Sequence, residues 1–260
     1  MIGDLVSLAE INDGDASAVI QTILPRRNSL VRPAVANVDQ IVIVMAAGSP
    51  APDLYLIDKL LAAANLSGIE VVLLINKLDQ DETQAALWEQ EYRHAVSRVI
   101  CTCTLDGRGM DSLRPVLFDK ISVLAGQSGA GKSSVINLLL GDRIMETGGL
   151  SKKTERGRHT TRHNEMFPIF RDGRAAGFVI DSPGFSLFDL TATEPLGLQN
   201  LYPEIYNNKS ACYFPDCSHT GEPGCFVPEL VEKGLFGRGR YERYVLLYKE
   251  LKEREKYKYK

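Results

Sequence analysis

The stretch Gly126-Gln127-Ser128-Gly129-Ala130-Gly131-Lys132-Ser133 constrains this chain more than any other part of it. Its spacing, G-x-x-x-x-G-K-S, is that of a phosphate-binding loop. Residues 121–125 read as a short buried strand leading into it, and residues 134–140 as the first turns of a helix leading out. Such a loop aims backbone N–H groups and a helix N-terminus at phosphate oxygens, so it needs strand, turn and helix together. The glycines let the backbone curl without Cβ clashes. Lys132 would reach the β- and γ-phosphates and act in catalysis. The Ser133 hydroxyl would complete a Mg²⁺ shell, with Ser134 next on the helix. A nucleoside triphosphate is the implied ligand.

The surroundings suit that loop. Residues 40–46, 70–75 and 98–102 read as strands, residues 52–66 and 81–97 as helices, and residues 113–118 as a helical turn. Residues 165–170 and 175–180 pair around Arg171-Asp172-Gly173-Arg174. This alternation predicts an α/β fold, a largely parallel sheet with helices on both faces. Residues 1–36 differ: Asn12-Asp13-Gly14-Asp15 separates two apolar runs as a hairpin turn would. Two or three strands bury little alone, so this piece leans on the next domain or is the remnant of a larger β-domain. Residues 141–165 read as a long mobile loop carrying Arg143, Lys152, Lys153, Arg156, Arg158 and Arg162. A Cys/Gly/Pro-rich segment and a helical tail over 227–260 close the chain. The implied domains are 1–36, 37–197 and 198–260.

Asn76-Lys77-Leu78-Asp79 follows the second strand. The Asp79 carboxylate can accept two hydrogen bonds from guanine N1–H and the 2-amino group, a pair adenine lacks, and such bidentate recognition is selective. Asn76 would tie this loop to the phosphate loop, and the Lys77 stem would lie over the base. The nucleotide is therefore GTP, with GDP as product. Asp181-Ser182-Pro183-Gly184 follows another strand. Asp181 would hold Mg²⁺ through a water and the Gly184 N–H would meet the γ-phosphate. Thr160 or Thr161 would supply a second Mg²⁺ hydroxyl from Gly157-Arg158-His159-Thr160-Thr161, a first switch ordered by γ-phosphate. Phe185 stands where Ras-type GTPases carry the glutamine that orients the attacking water. Slow intrinsic hydrolysis is expected, the water being placed by His159, Arg158 or a partner. An imidazole can hydrogen-bond water directly, which favours His159 as the catalytic group.

Ordinary GTPases run phosphate loop first and N-K-x-D late, whereas here N-K-x-D precedes the phosphate loop and D-x-x-G ends the series. The domain reads as circularly permuted, a rearrangement tolerated where old termini lie close together at the surface.

The 5 cysteines are an odd number, which argues against a disulfide framework and for a reducing compartment. Cys212, Cys217, His219 and Cys225 offer three thiolates and an imidazole within one short segment. That donor set makes a closed tetrahedral shell for one structural Zn²⁺. Cys101 and Cys103 read as core or loop residues. A formal net charge of -3 predicts neither a strong nucleic-acid binder nor a membrane binder, although the basic loop and the Lys256-Tyr257-Lys258-Tyr259-Lys260 tail concentrate positive charge locally. The N-terminus lacks a signal-peptide pattern, and no apolar run approaches the roughly 20 residues that span a bilayer. A cytoplasmic location is expected.

Taken together, the motif order, G-Q-S-G-A-G-K-S, G-R-H-T-T, D-S-P-G-F and C-x4-C-x-H-x5-C resemble the RsgA family, small-ribosomal-subunit-dependent GTPases of bacteria. Residues 32–40 resemble that family's link between its N-terminal and GTPase domains. The resemblance implies a circularly permuted P-loop GTPase domain between an N-terminal OB domain and a C-terminal zinc-binding helical domain. It also implies a protein that assists late maturation of the 30S subunit, contacts 16S rRNA and is stimulated by the subunit. Cys212, Cys217, His219 and Cys225 match the family's zinc ligands, and His159 its proposed catalytic histidine. Residues 3–6 resemble the middle of the OB domain, so the β-domain is expected to be partial. Neither DNA nor membrane is an expected partner, and the chain reads as a monomer. A rival reading is a GTP-regulated binding module or switch for a non-ribosomal protein, with little turnover of its own.

Overall fold

The structure is a computed structural model that describes residues 1–12, 17–31, 33–141, 164–181, 190, 193–208 and 211–258. The expectations placed on His159, Thr160, Thr161, Gly184 and Phe185, and most of the basic loop, lie outside the described residues.

The centre is a six-stranded sheet. Its strands are β5 (Gln40–Ala46), β6 (Glu70–Asn76), β7 (Arg98–Cys101), β8 (Ile121–Ala125), β9 (Glu165–Arg171) and β10 (Arg174–Asp181). They lie in the order β7-β6-β5-β8-β10-β9, all neighbours parallel except β9, which runs antiparallel to β10 at one edge. Strict alternation divides each strand between two cores. Ile41, Ile43, Met45, Leu73, Ile75 and Val123 face one apolar cluster, while Val42, Val44, Val72, Leu74 and Leu124 face the other. A strand buried on both faces reads as an unbroken apolar run, as β5 does. The first face is covered by α1 (Leu54–Leu66) and α2 (Glu82–Tyr92), the second by α3 (Met110–Leu113), a 3₁₀ turn (Arg114–Leu117) and α4 (Lys132–Leu140). Pro168 sits in edge strand β9, where a missing N–H is tolerated.

Helix α2 stops at Tyr92, short of the predicted end at residue 97. The next residues turn back, and the Ser97 N–H reaches the Val71 carbonyl to open β7 at the sheet edge. The predicted single helical tail is two helices, α6 (Val227–Glu232) and α7 (Arg238–Lys258), separated by a turn in which Gly234 has φ +67°. With α5 (Pro203–Tyr206) and the 3₁₀ segment Pro195–Leu201 they enclose a third core around Tyr202, Phe226, Phe236, Tyr244 and Leu247.

At the N-terminus β1 (Val6–Asn12) and β2 (Ser17–Ile23) form a hairpin, and β3 (Ser29–Leu30) pairs with β4 (Val35–Ala36). Among the described residues the hairpin does not lean on the sheet domain: β2 is exposed along its length, as are Leu5, Leu8 and Ile11. Among these residues it is tied down at its base, where Arg26 pairs with Asp4, Arg27 with Asp39, and Asn28 holds Val38.

Candidate nucleotide and metal sites

The phosphate loop leaves β8 and enters α4, and close approach explains two of its glycines. Gly126 has φ +127°, and a Cβ there would lie 2.1 Å from the Val44 carbonyl oxygen of the adjacent strand. Gly131 has φ +101°, and a Cβ would lie 2.2 Å from Asn76 Nδ2. Lys132 folds back over the loop, its ammonium donating to the carbonyls of Gly126 (2.6 Å) and Gln127 (2.9 Å). Burial lowers the Lys132 pKa, while the neighbouring Asp181 carboxylate at the end of β10 pulls it back up. Ser128 and Gly129 on the loop, and Ser133 and Ser134 on the first turn of α4, are exposed, whereas Ala130 is buried.

The guanine-type motif meets this loop at the same end of the sheet. Asn76, fully buried at the end of β6, donates from Nδ2 to the Ala130 carbonyl at 3.2 Å. Its Oδ1 accepts from the Thr102 hydroxyl at 3.2 Å. Asp79 is exposed, and its Oδ1 accepts from the buried Cys103 thiol at 3.2 Å. Lys77, with φ +63°, donates to the Ser49 carbonyl at 2.7 Å. From the sequence Thr102 reads only as a strand end, while Cys103 reads as a core or loop residue that stands, with Thr104, roughly where the resemblance expects the Ser-Ala pair of a last guanine-loop motif. Their signal is positional, since they end the strand beside β6 and so arrive next to its terminal motif.

The third group is the cysteine-rich segment. The ligating atoms of Cys212, Cys217, His219 and Cys225 all lie within 4.8 Å of one another. His219 Nδ1 is 3.5 Å from both Cys212 Sγ and Cys225 Sγ. A tetrahedral Zn²⁺ with bonds of about 2.3 Å to sulfur and about 2.0 Å to nitrogen sets the sulfur–nitrogen spacing near ~3.5 Å, so the donors fit that ion. Nε2–H of His219 donates to Gln199 Oε1 at 3.0 Å, which leaves the Nδ1 lone pair turned towards the sulfurs. Glu222 accepts from the N–H groups of Ser218 (2.8 Å) and Thr220 (2.8 Å) and from the Ser218 hydroxyl. Burial alone would raise the Glu222 carboxyl, but these donors outweigh it and hold its pKa at about 2. No local sequence pattern marked Gln199 or Glu222 as supports of this cluster.

The profile of the RsgA GTPase family matches residues 23–191. This chain belongs to the RsgA GTPase family. Two relatives, both named small ribosomal subunit biogenesis GTPase RsgA, show how far the likeness extends. That of Ruminiclostridium cellulolyticum is 42% identical over 256 residues, covering 98% of this chain and 83% of the relative. That of Agathobacter rectalis is 40% identical over 261 residues, covering 99% and 84%. Among solved structures, YjeQ from Thermotoga maritima matches with a TM-score of 0.74 at 33% identity, over 96% of this chain and 83% of that one. YloQ, described as a circularly permuted GTPase, matches with a TM-score of 0.71 at 32% identity, over 97% and 80%. RsgA membership agrees with a chain that carries the phosphate-loop and N-K-x-D motifs on one α/β core and a Cys3His cluster in its C-terminal helical part. Among the described residues no helix is long and apolar enough to cross a membrane.

Proposed function

We propose that this chain hydrolyses GTP in step with late maturation of the 30S ribosomal subunit, contacting 16S rRNA and being stimulated by the subunit. The observation that carries the nucleotide half is the buried Asn76 amide, hydrogen-bonded to the phosphate loop at Ala130. It supports one continuous site running from Asp79 to Lys132, the span a guanine nucleotide occupies. The ribosomal half comes from the relatives, which are named for small-subunit biogenesis.

In this reading Asp79 recognises the guanine edge, steadied by the Cys103 thiol, while Lys77 lies over the base. The N–H groups of residues 126–133 cradle the phosphates, and Lys132 exchanges its carbonyl partners for phosphate oxygens. Ser133, Asp181 and Thr160 or Thr161 would hold Mg²⁺, which supplies neutralising charge at the β- and γ-oxygens. Gly184 would donate to the γ-phosphate, and His159 would orient the attacking water. We assign residues 1–36 to a partial OB-like domain and linker, 37–197 to a permuted GTPase domain and 198–260 to the zinc-binding domain. The Cys3His cluster carries one structural Zn²⁺, and the protein works as a cytoplasmic monomer.

The test is GTP turnover by the 260-residue protein alone and with purified 30S subunits, 50S subunits and naked rRNA as controls. Stimulation by 30S alone is expected. Equal, absent or 50S-directed stimulation with intact GTP binding would discard the ribosomal reading in favour of a switch acting on another partner.

A further inference from the structure

Helix α1 belongs to two parts of the molecule at once. Ile57, Leu60, Leu61 and Ala64 pack in the sheet core, while Ala62 and Ala63 pack in the C-terminal core. The segment leading into α1 is gripped by both nucleotide motifs. The Ser49 N–H donates to Gln80 Oε1 at 2.6 Å, and the Ser49 carbonyl accepts from Lys77 at 2.7 Å. From the phosphate loop, Gln127 Nε2 donates to the Ala51 carbonyl and Gln127 Oε1 accepts from the Asp53 N–H, both at 2.9 Å. Asp53 in turn caps α1 through the Leu56 N–H. The Gln127 side chain thus joins the phosphate loop to the start of this helix.

The other flank of α1 is tied to α7 by charge. Asp58, fully buried, accepts from Arg240 at 2.6 Å and from Arg243. Arg240, equally buried, also donates to Glu204 Oε1 at 2.8 Å and stacks over the Tyr202 ring at 4.4 Å. Tyr55 and Lys59 of α1 hold Glu250, and Asn65 Nδ2 donates to the Leu201 carbonyl at 2.9 Å. Beyond the cluster the Tyr244 hydroxyl donates to the Ser218 carbonyl at 2.8 Å, between Cys217 and His219. Three buried atoms of the cluster, Arg240 Nη2, Glu204 Oε2 and the Tyr202 hydroxyl, have no hydrogen-bond partner among the described residues. Buried hydrogen-bonding groups left without a partner cost free energy, so a displacement of α1 that brought them partners would meet less resistance here than at a fully satisfied joint.

We propose that α1 is the strut through which guanine-nucleotide binding is felt by the C-terminal Cys3His module, with Gln127 as its input and the Asp58–Arg240–Arg243 cluster as its output. A rigid helix of 13 residues carries a shift at one end about 20 Å along its axis. Linkage requires the effect to be mutual: whatever loosens α7 from α1 must also alter nucleotide affinity. The inference rests on guanine-nucleotide binding at the proposed site.

Hydrogen–deuterium exchange on the full chain tests it, with GDP and Mg²⁺ as the probe. In the unaltered protein GDP is expected to slow exchange at residues 76–80 and 126–134 and, by about fivefold, in residues 238–251. Gln127→Ala at saturating GDP should keep protection over 76–80 and lose most of it over 238–251. Arg243→Met, at the less buried end of the cluster, should at saturating GDP keep protection at both nucleotide loops and lose it in α7. GDP protection confined to the loops of the unaltered protein would overturn the strut, as would α7 protection that survives both variants. No protection at residues 76–80 or 126–134 would overturn the nucleotide reading and the strut together.

Discussion

Gly131 and Asn76 show how single atoms govern this site. With a Cβ 2.2 Å from the buried Asn76 amide and a positive φ, Gly131→Ala must displace Asn76 or open the loop. Titration with a fluorescent GDP analogue is expected to show binding lost by about 100-fold or more, roughly 3 kcal/mol, with the far-ultraviolet circular dichroism spectrum kept. In the proposed site Asp79→Asn would remove the charge from both bonds to the guanine edge. Such bonds contribute about 1.5–3 kcal/mol each, so affinity for GTP should fall about 100-fold and preference over ATP should shrink. Unchanged selectivity would move base recognition elsewhere. Cys103 supports Asp79 from behind: Cys103→Ala should weaken GTP binding about fivefold, in line with roughly 1 kcal/mol for one hydrogen bond, and Cys103→Ser should restore it.

At the scale of elements, the third core shows what helices of this size need. The 3₁₀ segment Pro195–Leu201, α5 and α6 are 7, 4 and 6 residues long, too short to persist without tertiary contacts. The Cys3His cluster and the aromatic core around Tyr202 supply those contacts. Stripping the proposed Zn²⁺ with a strong chelator should therefore raise exchange across residues 198–236 while β5, β6 and β8 stay protected. Uniform protection after removal would show that the cluster is not structural. Gln199→Ala frees the His219 ring from its outer partner and should lower Zn²⁺ affinity about 10-fold or more, read by competition with a chromophoric chelator.

At the scale of the whole molecule, the buried charges between α1 and α7 decide how the C-terminal part sits on the sheet domain. Burial opposes the charge on Arg240, but the Glu204 and Asp58 carboxylates more than offset it and raise its pKa, so it stays ionised. Arg240→Met leaves two buried carboxylates short of a partner and should destabilise the protein by about 3–5 kcal/mol in urea denaturation. The hairpin at the other end contributes little to this frame, because its apolar residues Leu8, Ile11, Val19 and Ile20 face outward.

The sequence by itself determined the chemistry-bearing motifs and the central strands. Spacing within a few residues is enough to specify a phosphate loop, an N-K-x-D turn or a Cys3His donor set, and β5 and β6 announce themselves as long apolar runs, β8 as a shorter one broken by Ser122. It marked the ends of elements less well. Helix α2 stops where the Ser97 N–H must reach the Val71 carbonyl, a contact with another strand, whereas the tail breaks locally at Gly234, whose positive φ lets the Leu235 and Phe236 N–H groups turn back to the Leu230 carbonyl. Only the tertiary structure decided the partners of polar side chains far apart in sequence. Thr102 and Cys103 against Asn76 and Asp79, Gln199 against His219, Gln127 against Asp53 and Arg240 against Asp58 are of this kind. A hydrogen bond depends on position and direction, and the folded backbone sets both for groups that lie many residues apart.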